Sequence, residues 1–230
     1  MNSALRKAYL AAMQIEAWSR REVAPADAPA VTDAPAVTDA PTAATVADWA
    51  TLERLVAECR RCALCETRSR TVFGVGDRRA NWFIVGEAPG ADEDRQGEPF
   101  VGRAGQLLNS MLRAIGLARE QVFIANVQKC RPPRNRDPLA SEAAECLPYL
   151  RRQIELVAPK ILLIVGRIGA QNLLGTDAPI AQLRGRVHRL GAGGPPVVVT
   201  YHPGYLLRTP ADKRKAWEDL KFAREVATRG

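Results

Sequence analysis

Four short runs of apolar residues, separated by longer amphipathic stretches, dominate the hydrophobic pattern of the chain. They cover residues 82–85, 122–126, 161–165 and 197–201. Runs of this length without polar alternation are typical of strands that are buried on both faces of a parallel sheet. The stretches between them repeat their apolar positions every three or four residues, as helices do. The pattern therefore predicts an α/β fold with three layers, in which helices cover both faces of a central, mostly parallel, four-stranded sheet.

The N-terminal part of the chain has a different pattern. Residues 3–19 have helical spacing with one apolar face, whereas residues 22–47 are rich in alanine and proline and contain the unit AVTDAP twice in succession. Such a repeat cannot bury a core and is typical of an extended linker. We therefore expect an N-terminal amphipathic helix within residues 1–21, a flexible linker over 22–47 and a globular domain over 48–230. The helix is expected to bind either its own domain or a protein partner.

The charge balance indicates the class of partner. The chain has 33 lysine and arginine residues against 25 aspartate and glutamate residues, a formal net charge of +8. This excess attracts a polyanion such as nucleic acid, or an anionic membrane surface. No window reaches the roughly 18–20 apolar residues of a membrane span, and no secretory signal precedes the cysteines. We therefore expect a cytoplasmic protein that does not enter a membrane, with clustered cysteines as metal ligands rather than disulfides.

Five cysteines fall into two groups. Cys59, Cys62 and Cys65 form a C-x2-C-x2-C run, and Cys130 and Cys146 follow much later. A C-x2-C pair lets one turn supply two thiolates to a metal centre, and two distant cysteines complete a set of four. Zinc and a [4Fe–4S] cluster both accept four thiolates. The spacing alone neither chooses between them nor says which two of the first three cysteines are ligands.

The segment after the first apolar run is the least generic part of the sequence. Residues 86–105 read GEAPGADEDRQGEPFVGRAG, which combines five glycines, a group of acids and Phe100. In a parallel sheet, the loops at the carboxyl ends of the strands form the ligand site. The segment lacks the G-K-[ST] of a phosphate loop, and its acids would repel a pyrophosphate. It therefore predicts a pocket in which a planar ring stacks on Phe100 and hydrogen-bonds along its edge.

Two further loops at the same edge of the sheet carry polar candidates. Asn126 ends the second run, and its amide offers both a donor and an acceptor, which suits the edge of a pyrimidine. Arg131, Arg134 and Arg136 follow in QKCRPPRNRDP and are candidate phosphate ligands. A solvated basic loop is the alternative interpretation of these arginines.

The loop after the fourth run reads HPGYLLR, residues 202–208. A lone histidine more often has a structural role, but His202 follows the carboxyl end of that strand, so a structural role and a place in the site both remain open. Leu206 and Leu207 are either packed against the domain or inserted as a wedge into a stack of bases.

Taken together, CRRCALCETRSRTVFGVGD, GEAPGADEDRQGEPFVGRAGQLLN, NVQKCRPPRNRDPL and HPGYLLR resemble the family 4 uracil-DNA glycosylases, the iron–sulfur branch of the uracil-DNA glycosylase superfamily. The resemblance runs from about Cys59 to Leu220. It implies a monofunctional DNA base-excision repair enzyme that hydrolyses the N-glycosidic bond of deoxyuridine in single- or double-stranded DNA. Free uracil and an abasic site are the expected products. The expected partner is DNA containing uracil, and we expect a monomer associated with the nucleoid of a prokaryote.

The resemblance also implies a set of metal ligands. Leu64, Arg68 and the segment VFGVG at 72–76 match the family pattern when Cys59 and Cys62 are ligands. Cys130 and Cys146 match the other two ligands, which leaves Cys65 as a spare thiol. The implied cofactor is a [4Fe–4S] cluster with a structural role.

The pocket residues implied by the resemblance fall into three sets. The catalytic set is Glu87, Glu93, Asn135 and His202. The uracil-binding set is Gly86, Glu87, Ala88, Pro89, Phe100, Asn126 and His202. The DNA-binding set is Arg131, Arg134, Arg136, Leu206, Leu207 and Arg208. Because Ala88 stands where the best-known glycosylase branch has a water-activating aspartate, Glu87 is the first candidate for the base and Glu93 the second.

Two other classes of function remain as alternatives, besides a nucleotide-hydrolysing enzyme, which the absence of a phosphate-loop lysine argues against. A related branch traps uracil-containing DNA without turnover, through a histidine in a basic insertion near residues 102–105; here VGRAGQLLN continues without such an insertion. A zinc-stabilised, non-catalytic nucleic-acid binding module is the other alternative, and the acid-rich GEAPGADED argues against it.

Overall fold

The computed structural model of the protein describes residues 48–229, and within them a six-stranded sheet lies between layers of helices. The strands are β1 (Val75–Gly76), β2 (Trp82–Gly86), β3 (Val122–Asn126), β4 (Ile161–Val165), β5 (His188–Arg189) and β6 (Pro196–Thr200). The helices are α1 (Trp49–Ala57), α2 (Leu64–Thr67), α3 (Ala91–Gln96), α4 (Arg103–Ala114), α5 (Ala140–Val157), α6 (Arg167–Leu174), α7 (Ile180–Leu183), α8 (Pro203–Arg208) and α9 (Lys213–Arg229). The predicted N-terminal helix and linker lie outside the described residues.

The sheet has the order β1-β3-β2-β4-β6-β5. The four inner strands are parallel and correspond to the four apolar runs, so the predicted α/β class is confirmed. The predicted count of four strands is wrong, because β1 and β5 pair antiparallel at the two edges. Each edge strand has two residues, which is too short for a hydrophobic alternation to appear in the sequence.

Both faces of the central strands are buried. On one face, Ile84 of β2 packs in a cluster with Leu108 of α4 and Leu220 of α9. On the other face, Phe83 packs in a cluster with Leu150 of α5. Removing apolar surface from water on both faces is what stabilises a sheet without polar positions. No helix within residues 48–229 combines the length and the apolar character that crossing a membrane requires.

The register of β2 and β3 places two predicted site residues side by side. Gly86 and Asn126 are paired at the carboxyl ends of these strands. The hydrogen bonding continues beyond the strands, because the N–H of Val127 donates to Gly86 O and the N–H of Gln128 donates to Glu87 O, both at 3.0 Å. The backbone at the start of the glycine-rich segment is therefore fixed against the end of β3.

Candidate active site

The loops at the carboxyl ends of the parallel strands surround a cavity of about 320 Å³. Its volume falls within the usual range for small-molecule sites. The wall consists of Glu87, Ala88, Pro89, Gly90, Glu93, Phe100, Ala104, Asn126, Pro132, Asn135, Arg136, Asp137, His202, Gly204 and Arg208. Most of the predicted catalytic and base-binding residues are thus brought together at one edge of the sheet, as the strand-end rule predicts.

Asn126 lines this cavity from the last position of β3. Its side chain is 1% exposed, and its Oδ1 atom has no hydrogen-bond partner among the described residues. Leaving a buried acceptor unpaired costs about 1–3 kcal/mol, so such groups are rare without a use. Within residues 48–229 the other unpaired buried side-chain atoms belong to Gln128, which does not line the cavity. The Asn126 amide is therefore available to a donor on a ligand.

Gly86 leaves the space beside Asn126 open. A Cβ atom at position 86 would overlap Asn126 Oδ1 and would lie 2.6 Å from Phe100 Cε2. Any side chain at this position would displace both the amide and the aromatic ring. The absence of a side chain at Gly86 therefore makes room for a flat ligand between these two groups.

Phe100 is held in an uncommon backbone conformation. Its φ is 55°, in the left-handed region that residues with a Cβ rarely adopt. Arg119 stabilises the turn, because its Nη2 donates to Pro99 O at 2.6 Å. Gly105 permits the next helix to start here, since a Cβ atom there would overlap the Phe100 carbonyl. The ring of Phe100 lies 5.7 Å from the ring of His202, with a tilt of 33°.

Glu93 lines the cavity but its carboxylate is engaged by the backbone. Its Oε2 accepts from the N–H of Gly90 at 3.0 Å, and its Oε1 accepts from Val101 at 3.0 Å and Gly102 at 3.1 Å. These three bonds connect the start of α3 to the start of α4. Glu93 therefore organises the loop around Phe100. Its carboxylate oxygens already accept three hydrogen bonds, which leaves little capacity to bind a ligand.

Glu87, by contrast, is a half-buried carboxyl group on the cavity wall. Its pKa is raised to about 7, chiefly by burial and also by the negative charge of Asp137, while the guanidinium of Arg167 partly opposes this increase. Arg167 Nη2 lies 3.4 Å from Asp137 Oδ2. The sequence interpretation did not single out Asp137 and Arg167. The only sequence feature that could have indicated them is their position, since Asp137 lies in the loop after β3 and Arg167 follows the end of β4.

His202 is oriented by the first turn of α8. The N–H of Gly204 donates to His202 Nδ1 at 3.0 Å. Burial lowers the pKa of His202 to about 4, and the positive charge of Arg208 acts in the same direction. The ring is therefore neutral at pH 7, and because Nδ1 accepts a hydrogen bond, its proton is on Nε2. His202 can thus donate one hydrogen bond into the site without carrying a charge.

The arginine-rich loop at the rim has internal support. Arg131 Nε donates to Asn135 Oδ1 at 2.7 Å, and Arg136 makes two bonds of 2.8 and 2.6 Å to Glu142. Arg134 and Asn135 both have positive φ, 53° and 55°. Asn135 lines the cavity, and its amide oxygen accepts the hydrogen bond from Arg131. Exposed guanidinium groups at the mouth of the cavity suit contact with phosphates.

The α8 segment corrects one prediction. Leu206 is 1% exposed and packs in the hydrophobic core, so it is not available to enter a base stack. The sequence pattern could not separate it from its neighbour, because a six-residue helix gives no clear periodicity. Leu207 is half-buried, whereas Arg208 is exposed and lines the cavity.

All five cysteines line a second, small cavity, which is separate from the strand-end cavity and also contains Arg68 and Lys129. Cys130 follows β3 and Cys146 lies on α5, so the chain brings thiols from three separate segments to one place. Arg68 connects two of these segments, because its Nη1 donates to Cys130 Sγ at 3.0 Å and its Nη2 donates to Cys59 O at 2.9 Å. The described residues contain no group of three histidine, cysteine, aspartate or glutamate side chains arranged to hold a metal ion.

The chemistry of these thiols fits a metal centre with sulfur ligands. Burial raises the pKa of Cys146 to about 12 and raises that of Cys130 as well. Such thiols keep their protons at neutral pH unless a cation replaces them. An all-cysteine set matches the donors of both a zinc site and an iron–sulfur cluster. The shared cavity does not distinguish Cys65 from the other four cysteines.

A buried lysine links the cysteine cavity to the end of β3. Lys129 is 1% exposed, and its Nζ donates to Asn126 O at 2.8 Å and to Gln153 Oε1 at 2.7 Å. Gln153 in turn donates to Phe73 O at 3.0 Å. Burial lowers the pKa of Lys129 to about 7. The segment from Asn126 to Cys130 is therefore fixed from inside the domain.

A family model described as the uracil DNA glycosylase superfamily matches residues 73–221. The matched region includes the whole strand-end cavity. The fold and the site therefore define the class of protein as that superfamily.

Similarity to curated proteins narrows the class. The chain is 44% identical over 179 residues to the type-4 uracil-DNA glycosylase of Archaeoglobus fulgidus, covering 75% of this chain and 90% of the relative. It is 40% identical over 173 residues to the type-4 uracil-DNA glycosylase of Thermotoga maritima, covering 74% and 89%. Similarity to the type-5 uracil-DNA glycosylase of Pyrobaculum aerophilum is lower, 30% over 146 residues and 57% of this chain. The chain belongs to the type-4 family of uracil-DNA glycosylases.

Proposed function

We propose that the protein hydrolyses the N-glycosidic bond of deoxyuridine in DNA, releasing uracil and leaving an abasic site. The observation that carries this proposal is the unpaired Oδ1 of Asn126, which faces the cavity between Gly86 and Phe100. The edge of uracil presents an N–H donor at N3, which suits this acceptor, whereas cytosine presents an acceptor at the same place. Membership of the type-4 family supports the same activity.

The target nucleotide must leave the double helix, because its glycosidic bond is inaccessible within the stack. Phe100 then stacks on the uracil, and Asn126 binds its Watson–Crick edge. As the bond between the sugar and N1 lengthens, negative charge develops on the base. The Nε2–H of His202, neutral at physiological pH, donates to a uracil oxygen and stabilises that charge, as donors in an oxyanion hole do.

The Glu87 carboxylate positions the attacking water and balances the positive charge that develops on the sugar. Glu93 contributes indirectly, through the three backbone N–H groups that it holds around Phe100. Lys129 is buried and does not line the cavity, so it is not placed to attack the sugar. We therefore expect hydrolysis without a covalent lysine intermediate and without cleavage of the strand.

The cysteines complete the proposal. All five cysteines line one cavity, and the family pattern implies that Cys59, Cys62, Cys130 and Cys146 are the four that would hold a [4Fe–4S] cluster. Such a cluster supplies strong cross-links between chain segments rather than redox chemistry at the uracil. Cys130 and Cys146 lie on either side of the arginine-rich loop, and their fixation holds that loop at the mouth of the site.

The direct test is release of free uracil from oligonucleotides by the anaerobically purified full-length protein. Single-stranded, U·A and U·G substrates are compared, and iron and zinc are measured in the same sample. We expect uracil release with iron near four per chain, roughly the content of one cluster. A stable protein–DNA adduct without free uracil would instead identify a trapping protein. Zinc in place of iron would contradict the cluster while leaving the glycosylase activity to be judged separately.

Gly86→Ala is expected to lower uracil release by about 100-fold, since displacement of binding groups by about 1 Å has effects of this size. The added Cβ atom overlaps Asn126 Oδ1 and pushes against Phe100, so the flat binding space closes. Single-turnover rates on single-stranded substrate measure the effect, and urea unfolding checks that the variant is folded. Full activity of a folded Gly86→Ala protein would contradict the assigned base-binding space.

A further inference from the structure

Leu139 is the most exposed large hydrophobic side chain within residues 48–229, at 54%. Single exposed leucines are common on protein surfaces, so exposure alone assigns no role. Its location is more informative. Leu139 directly follows the loop in which Asn135, Arg136 and Asp137 line the candidate active site. An apolar side chain therefore stands in water beside the proposed base-binding cavity, within a basic and otherwise polar segment.

The backbone of Leu139 is held in place rather than mobile. It is the N-cap residue of α5; its N–H donates to Glu142 Oε2 at 2.8 Å, and its carbonyl accepts from Ala143 at 3.0 Å. Glu142 is itself 5% exposed and is held by the two bonds from Arg136. A side chain on such a rigid support loses little conformational freedom when it is inserted into a partner.

The charges around Leu139 indicate a polyanion as the partner. Arg134 and Arg136 are exposed in the same loop, and Arg136 and Arg208, which is also exposed, line the cavity. Exposed guanidinium groups from two separate segments at one cavity suit the phosphates of a DNA strand. An apolar residue among them does not suit phosphate. It does suit the stacked faces of bases, which proteins separate with leucine and similar wedges.

We propose that Leu139 inserts into the base stack of double-stranded DNA and fills the space that the displaced uridine leaves. The role rests on the proposed function, and it replaces the expectation that Leu206 forms the wedge. Leu206 is 1% exposed within the core, and Leu207 is half-buried. Unstacking a base costs a few kcal/mol, and least in a strand that is already single. A wedge therefore lowers the barrier for duplex substrates and has no corresponding task in single-stranded DNA.

The test compares Leu139→Ala with the unchanged full-length protein on three substrates. Single-turnover release from U·A duplex is expected to fall about tenfold, that from U·G by less, and that from single-stranded DNA by less than about twofold. Leu139→Met, which keeps an apolar chain of similar length, should restore most of the duplex rate, whereas Leu139→Gln should not. Val187→Ala is the matched control, because Val187 is also exposed, at 44%, but lies outside the cavity.

A second measurement separates the wedge from catalysis. A 2-aminopurine placed beside the uracil becomes more fluorescent when its stacking is broken, and Leu139→Ala should reduce this increase on binding to a duplex. Equal losses on single- and double-stranded substrates, or no loss on either, would overturn the proposal. A duplex-specific loss in Leu207→Ala alone would also overturn it and place the wedge on α8. If the unchanged protein releases no uracil from any substrate, it is the proposed function that fails, and the fluorescence result still decides whether Leu139 unstacks a duplex.

Discussion

Glu87→Gln is expected to lower the maximal rate of uracil release by about 10²–10⁴-fold, the usual contribution of a positioned acid–base group. The amide is similar in shape but neither carries the negative charge nor accepts a proton from water. Substrate binding should change much less, because Phe100 and Asn126 remain. Single-turnover rates and equilibrium binding of a uracil oligonucleotide measure the two effects. A Glu87→Gln protein with a normal rate would remove Glu87 from the mechanism.

The pH profile provides an independent test of the same residue. Because the Glu87 carboxylate is the active form and its pKa is about 7, the rate should fall about tenfold per unit below that pH and level off above it. His202, with a pKa near 4, stays neutral over this range. Asp137→Asn removes a negative charge that raises the Glu87 pKa, so its profile should shift to lower pH. Arg167→Gln removes the opposing charge and should shift the profile to higher pH.

The contribution of Glu87 to the free energy of unfolding should decrease as the pH rises, whereas the rate of uracil release should increase. The folded-state pKa of Glu87 is raised from 4.5 to about 7, so its contribution to stability is present below pH 4.5 and is lost as the pH rises through about 7. The shift corresponds to about 3 kcal/mol when the group is fully shielded, and partial exposure reduces it to roughly 1–2 kcal/mol. Urea unfolding should therefore show Glu87→Gln more stable than the unchanged protein at pH 8 and equal to it near pH 4.

The second large effect concerns the cysteine cavity. Cys130→Ala is expected to lose its iron and to unfold at a temperature lower by about 10 °C or more. Metal binding contributes directly to folding, so loss of the metal should lower the free energy of unfolding by several kcal/mol. Iron analysis and thermal unfolding under anaerobic conditions measure both results. A Cys130→Ala protein that retains a full cluster would contradict the ligand assignment.

Cys65→Ala is the matched control. Cys65 lines the same cavity as the four assigned ligands but is expected to be the spare thiol. The variant should therefore keep its iron and its thermal stability. Loss of iron in Cys65→Ala together with retention in Cys59→Ala or Cys62→Ala would show that the two adjacent ligands had been chosen wrongly.

The parts of the fold that the sequence predicted are those with a strong periodic signal. The four parallel strands appear as unbroken apolar runs, and the rule that ligands bind at their carboxyl ends located the cavity. The edge strands β1 and β5 were missed because two residues form no pattern. Glu87 and His202 follow strands and Asn126 ends one, so the position of these residues at strand ends, rather than their type alone, marks them as candidates.

Other features depend on three-dimensional contacts that the sequence does not encode locally. The burial of Lys129 has no signal in the sequence, because a lysine is almost never fully buried, yet this side chain is 1% exposed and donates to Asn126 O. Glu93 appears in the sequence as one acid among several, and its three bonds to backbone N–H groups emerge only when α3 and α4 are packed together. The burial of Leu206 and the exposure of Leu139 also depend on tertiary packing. Leu206 lies in a six-residue helix and Leu139 caps a helix, so neither position belongs to a clear periodic pattern.

The pairing of Gly86 with Asn126 has a consequence for accuracy at high temperature. The two positions are joined through the hydrogen-bonded ladder of β2 and β3, which continues to the backbone of Glu87. The distance across the proposed base-binding end of the cavity is therefore set by the same bonds that hold the centre of the sheet together. Warming speeds up the loops at the rim, but it cannot widen this end while the strands remain paired. Discrimination between uracil and cytosine should thus persist up to the melting temperature of the domain, and errors should not increase before activity itself is lost.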